Sequence, residues 1–186
     1  MSNLRPLVAG LALGLLAAAA LPAMADEAAL AKQLQEYADR VAINATLVQY
    51  TMGLDRVDAD LYAGAFTPDA KFYRGESPEK AEIMAEGTAQ IRKIITDLAA
   101  SDAKSKAARE AEWKGEGSPP VRTRHHVMSN AVVELLDDHT ATHRAYWMTV
   151  SGVSRDMNVV SQGSYQDTLV KVGGKWLIKE RYLLQR

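Results

Sequence analysis

Apolar residues are spaced in three different ways along this chain, and each spacing predicts a different kind of structure. Between residues 27 and 55 the chain is rich in Ala, Leu, Gln and Glu and free of Pro, which predicts one long helix or two joined ones. Tyr37, Val41, Ala45, Val48 and Met52 recur there at intervals of three and four, the expected buried stripe, and Asp55 is its next member. Asp58 and Asp60 can cap a short second helix through Leu61, Tyr62, Ala65 and Phe66, and a turn at Thr67, Pro68 and Asp69 leads to a short strand over 70–74. Ile91, Ile94, Ile95 and Leu98 mark a third helix within 88–113, whose far half is poor in apolar residues and reads as a solvated helix or loop.

A Gly- and Pro-rich break at 115–120 ends the helical half. Beyond it, strands are predicted near 122–136, 141–151, 158–172 and 176–184, the last after a Gly173-Gly174 turn. Helices followed by an antiparallel meander indicate an α+β fold with helices packed on one face of a curved sheet.

The first 25 residues differ from the rest: Arg5, an apolar run from Leu7 to Leu21, then Ala23-Met24-Ala25 before Asp26 and Glu27. This predicts an export leader cleaved after Ala25, with an uncleaved anchor helix as the alternative, a periplasmic or secreted location, and a domain over 26–186. The 22 Lys and Arg against 23 Asp and Glu give a net charge of −1, which supplies no electrostatic case for a nucleic-acid partner or for a membrane partner once the leader is removed. The absence of Cys excludes disulfides, thiolate metal sites and Cys nucleophiles. No HxH, HExxH or GxSxG pattern occurs among the 186 residues, so neither a metal nor a serine nucleophile is expected.

Four His remain, at 125, 126, 139 and 143. His139 reads as a hairpin-turn residue. His125 and His126 are strand neighbours and leave opposite faces; if His126 is inward, Met128, Asn130 and Val132 share its side. A His meeting a carboxylate in a pocket forms a general-base pair. Asp55 is the candidate carboxylate if it continues the buried stripe, but the helix can equally stop before it and leave it in a solvated turn with Asp58 and Asp60.

Three stretches together resemble the SnoaL-like branch of the nuclear transport factor 2-like superfamily: 50–70 (YTMGLDRVDADLYAGAFTPDA), 123–130 (TRHHVMSN) and 163–178 (GSYQDTLVKVGGKWLI). The resemblance implies a cone-shaped α+β fold, a curved, mostly antiparallel sheet wrapped around N-terminal helices. It further implies that Asp55 and His126 stand at the positions of the catalytic dyad of dehydratase and dehydrochlorinase relatives. Tyr50 and Tyr165 match pocket positions, and in that register Arg144, Tyr146 and Met148 also face inward. Two departures stand out: Leu54 where scytalone dehydratase has a Tyr, and Val150-Ser151 where it has another His. The expected function is a cofactor-free lyase or isomerase acting on a small apolar or aromatic molecule, with a non-catalytic periplasmic ligand-binding domain and a pure assembly domain as alternatives. A homodimer or higher homo-oligomer through the open sheet face is also expected.

Overall fold

Helix α1 (Ala12–Arg56) is followed by α2 (Ala59–Ala63), β1 (Phe66–Gly75), β2 (Glu82–Glu86), α3 (Gly87–Glu112) and four long strands, β3 (Arg122–Leu135), β4 (Thr140–Val153), β5 (Asp156–Val172) and β6 (Lys175–Leu184). The structure is a computed structural model that describes residues 12–153 and 156–185, with side chains from residue 26 onward. The leader expected over 1–25 lies outside the described residues, apart from the helical backbone of 12–25. The chain divides into two units, Met1–Asp39 and Arg40–Arg186. The described part of the first is helical throughout, and the second carries the sheet and the site.

The six strands form one mixed sheet in the order β2-β1-β6-β5-β4-β3. Every neighbouring pair is antiparallel except β1 with β6. The predicted α+β class is therefore the observed one, and the four predicted strands of the second half fall where expected. At the hairpin from β5 to β6, Gly173 and Gly174 both have positive φ (57° and 80°), the conformation that a two-residue primed turn demands. The short edge strand β2 had no sequence reading; its burial pattern leaves one residue, Ala85, inside, so no alternation marks it.

The expected stripe on α1 is on the wrong side. Tyr37, Val41, Val48 and Met52 are exposed, and Ala45 with them, whereas Ile43, Thr46, Leu47, Tyr50 and Gly53 are buried. The reason lies in Gly53: a Cβ placed there would sit 2.5 Å from the backbone N of Tyr62, so only this face of the helix lets α2 approach. Thr46 is tolerated on the buried side because its hydroxyl donates to the carbonyl of Trp176 on β6 at 2.6 Å. Asp58 caps α2 as predicted, accepting from the N–H groups of Asp60 and Leu61. Ile91 and Ile95 are buried under α3, which stays helical to Glu112 with its far half mostly exposed.

A bulge in β3 changes which residues face the core. Ser129 pairs with Tyr146 and Val132 with Arg144, so three steps on β3 match two on β4, and Asn130 takes up the slack at φ 53°. Beyond it the alternation is reversed. Val132, expected to share the face of His126, is 56% exposed, while Val133 and Leu135 pack on the core. Asn130 is likewise exposed rather than inward.

Candidate functional site

Helix α1 ends in a Schellman-type stop: the N–H of Asp58 bonds to the carbonyl of Gly53 at 2.8 Å and that of Val57 to Leu54 at 3.3 Å. Val57 occupies the left-handed position at φ 55°, where a β-branched residue costs about 1–3 kcal/mol. The turn nevertheless leaves Asp55 in the last helical turn, directed at β3 rather than released into solvent with Asp58 and Asp60. Its Oδ1 accepts the backbone N–H of His126 at 2.9 Å and lies 2.6 Å from His126 Nδ1. Its Oδ2 lies 3.8 Å from Nδ1 of His125. The carboxylate thus touches both histidines, although their side chains leave opposite faces of the strand.

An ionised carboxylate only accepts hydrogen bonds, so the proton between Asp55 and His126 belongs on Nδ1 and the lone pair of the neutral ring on Nε2. The His126 side chain is 11% exposed. Burial pushes its pKa below the ordinary 6.5; the hydrogen bond and charge of Asp55 work in the other direction but do not overcome it, and the charges of Arg124 and His125 lower it further. The ring is therefore held neutral, in its basic form, near pH 7.

His126 lines a cavity of about 570 Å³ between the helices and the sheet, whose walls include Tyr62, Phe72, Ile94, Leu98 and Trp147. Tyr50 and Tyr165 form part of it, their hydroxyls 3.4 Å apart. Asp55 does not line this cavity; it borders a second, adjoining one that is lined by the far half of α3 and the start of β3.

The inward register expected for β4 is not the observed one. His126 pairs with Thr149 and Met128 with Trp147, so His143, Ala145, Trp147 and Thr149 face the core. Arg144 and Tyr146 are exposed, Tyr146 at 61%, and Met148 is half-buried on the outer side, where it borders a separate surface pocket with Tyr146. A one-residue difference in strand phase moves every side chain to the other face. Arg144, Tyr146 and Met148 are thus no part of the cavity around His126.

Behind the cavity lies a buried polar row that sequence reasoning missed. His143 on β4, Asp167 on β5 and Arg181 on β6 are cross-strand neighbours, all fully or nearly fully buried. Asp167 accepts from His143 Nδ1, from Arg181 Nε and from Arg181 Nη2, each at 2.7 Å. Burial opposes the charge of Asp167, but Arg181 and the hydrogen bonds from Arg181 and His143 outweigh it and hold the carboxyl below its ordinary value. The guanidinium of Arg181 stacks 3.9 Å from the ring centroid of Tyr50 and 4.3 Å from that of Tyr165, so one buried cation positions both tyrosines. Burial pushes the Tyr165 phenol well above its ordinary pKa, helped by Tyr50 and opposed by Arg181, so it stays a hydrogen-bond donor. A signal existed: with Tyr165 inward, Asp167 two residues on must share its face. Among the described residues, no three His, Asp or Glu side chains converge as a metal ion would require.

Residues 35–182 match the model of the SnoaL-like domain family. Among curated proteins, none matches the chain in sequence. Solved structures share its fold. An NTF2-like protein with a cystatin-like fold from Novosphingobium aromaticivorans is 20% identical, with 84% of this chain and 87% of that chain covered and a TM-score of 0.61. A putative scytalone dehydratase from the same organism is 20% identical, with 82% and 87% covered and a TM-score of 0.58. ActVI-ORFA from Streptomyces coelicolor is 18% identical, with 78% and 96% covered and a TM-score of 0.57. With the family model spanning the helix end at Asp55, the strand carrying His126 and all six strands of the sheet, the chain belongs to the SnoaL-like domain family, on a nuclear transport factor 2-like fold.

Proposed function

We propose that this protein is a lyase or isomerase that acts on a small, largely apolar or aromatic molecule and needs no cofactor. The observation that carries the reading is the 2.6 Å contact between Asp55 Oδ1 and Nδ1 of a His126 whose ring lines an apolar cavity. Nε2 takes a proton from a carbon next to an activating group, and the electron pair left behind forms a double bond as a neighbouring group departs or the bond shifts. Asp55 orients the ring and stabilises it once protonated. Tyr50 or Tyr165 donates to the oxygen on which charge collects. The fold shared with a putative scytalone dehydratase agrees with a lyase, though at 20% identity it bears on the fold alone.

One observation favours a second reading, a ligand-binding domain without turnover. Leu54, which stands where scytalone dehydratase carries a Tyr, lines the cavity, so one polar group of that enzyme is replaced by an apolar wall. Native mass spectrometry of the purified protein, followed by assay of whatever ligand is found, separates the two. Conversion of the ligand by the unaltered protein but not by Asp55→Asn or His126→Gln supports the enzyme; a ligand recovered unchanged supports the binding domain.

Export through the 1–25 leader belongs to the same proposal and is read by the intact mass of the secreted protein. So does a homodimer through the outer sheet face, where Val127, Val132 and Tyr146 are 41%, 56% and 61% exposed.

A further inference from the structure

The second cavity, about 770 Å³, lies between the far half of α3, the loop after it and the start of β3. Asp55 borders it while His126 borders the apolar one, and Arg124 and Val160 line both, so the two spaces adjoin at Arg124, two residues before the candidate base. Its charges do not cancel. Arg124 is committed to Asp102 through two hydrogen bonds, at 3.3 and 2.7 Å. Lys106 faces Glu110 at 3.8 Å, and Asp55 is hydrogen-bonded to a neutral His126, so four Lys and Arg stand against three Asp and Glu around this space. Arg109 and Arg122 remain: Arg122 donates through Nε to the hydroxyl of Ser151, and among the described residues neither has a carboxylate partner. At the junction, Nε of Arg124 is buried with no hydrogen-bond partner among the described residues. A buried N–H left unpaired is costly, and a ligand oxygen passing this point would satisfy it.

We infer that the ligand is an amphiphile, an apolar ring body in the inner cavity with a carboxylate tail that passes Arg124 and is held by Arg109 and Arg122. The inference rests on the proposed function and narrows its substrate class. Two guanidinium groups suit a carboxylate because their N–H forks match its two oxygens. The same placement sets the tail on the Asp55 side of His126, so the carbon reached by Nε2 lies on the ring body and not at the carboxylate.

The test is isothermal titration calorimetry of the protein with 4-(2-naphthyl)butanoate, a ring body with a carboxylate tail, and with its neutral counterpart 4-(2-naphthyl)butanamide, at low and high salt. The expected result is the butanoate binding roughly tenfold more tightly at low salt, an advantage that shrinks with added salt. In an Arg109→Gln, Arg122→Gln double variant that melts like the unaltered protein, the advantage disappears while the butanamide binds as before. Equal binding of the two ligands to the unaltered protein overturns the inference, as does an advantage that survives in the double variant, or failure of both ligands to bind. Proton transfer plays no part in this assay. Selective binding with no turnover of any ligand would therefore sink the lyase reading and keep the anion site, whereas turnover with equal affinities would sink the anion site alone.

Discussion

Replacing Asp167 with Asn removes one charge from the core and no atoms of bulk, and the surrounding geometry fixes the consequence. Asp167 and Arg181 side chains are both 0% exposed, and Asp167 is the carboxylate that Arg181 pairs with. Asn can accept at one atom only, so at least one of the two Arg181 bonds is lost and the guanidinium is left buried without a counter-charge. Breaking a buried pair from one side costs about 3–5 kcal/mol. For a chain of this size that is a fall in Tm of roughly 6–20 °C. Urea unfolding followed by Trp fluorescence measures it, and a loss under about 1 kcal/mol, the level of an exposed pair, would refute the reasoning. If the single variant does not fold, the double variant Asp167→Asn with Arg181→Met decides: removing the stranded cation should restore folding, because a buried pair replaced from both sides is close to neutral. The same network sets an acid limit. The Asp167 carboxyl is held below its unfolded value, so its stabilisation is present above the unfolded pKa and is lost as pH falls through the lower folded one. Asp167→Asn should therefore flatten the stability profile on the acid side.

Three further outcomes are expected. Proton NMR should show His126 titrating below 6.5, and further below in Asp55→Asn, since the carboxylate is what works against burial; a rise in the variant would contradict the pairing. Because that folded pKa is depressed, the contribution of His126 to stability is full above pH 6.5 and is lost as pH falls through the folded value. Gly53→Ala should cost about 1–3 kcal/mol in a denaturant titration, because the added methyl meets the backbone of Tyr62 at 2.5 Å and no side chain can swing away; an unchanged midpoint would show that α2 yields. Tyr146→Glu should turn a dimer into a monomer by light scattering if the outer sheet face is the interface, and a dimer that persists places the interface elsewhere.

Apart from β2, the order of helices and strands was legible because spacing and breakers mark it: Gly115 to Pro120 separates the halves, and Gly173-Gly174 places the last hairpin. Phase was harder to read. Helix α1 offers apolar residues on two sides, and the choice between them rests on Gly53, whose lack of a side chain matters only once α2 is seen against it. On β4 alternation is plain, but nothing local says which set faces inward. The pairing of His126 with Thr149 settles that, and it puts Trp147 inside and Tyr146 outside. The bulge at Asn130 was equally hidden, since a single extra residue leaves no mark in composition. Asp55 and His126 could be named as a pair only through the family resemblance, because the helix pattern by itself allowed Asp55 to sit in a solvated turn with Asp58 and Asp60. His143, Asp167 and Arg181 were missed because each looks ordinary on its own strand, and only the sheet register aligns them.

The most direct measurement of the Asp55–His126 chemistry tracks the ligand rather than the protein. Incubating the natively co-purified molecule with the protein in D₂O, and reading carbon-bound deuterium and product by NMR, reports proton abstraction itself. A general base at His126 predicts deuterium incorporation or conversion by the unaltered protein and neither by a folded His126→Gln protein that still binds the ligand, because Gln cannot take up a proton near neutral pH. Incorporation at an undiminished rate in His126→Gln would contradict it and leave Asp55 and His126 as a structural pair.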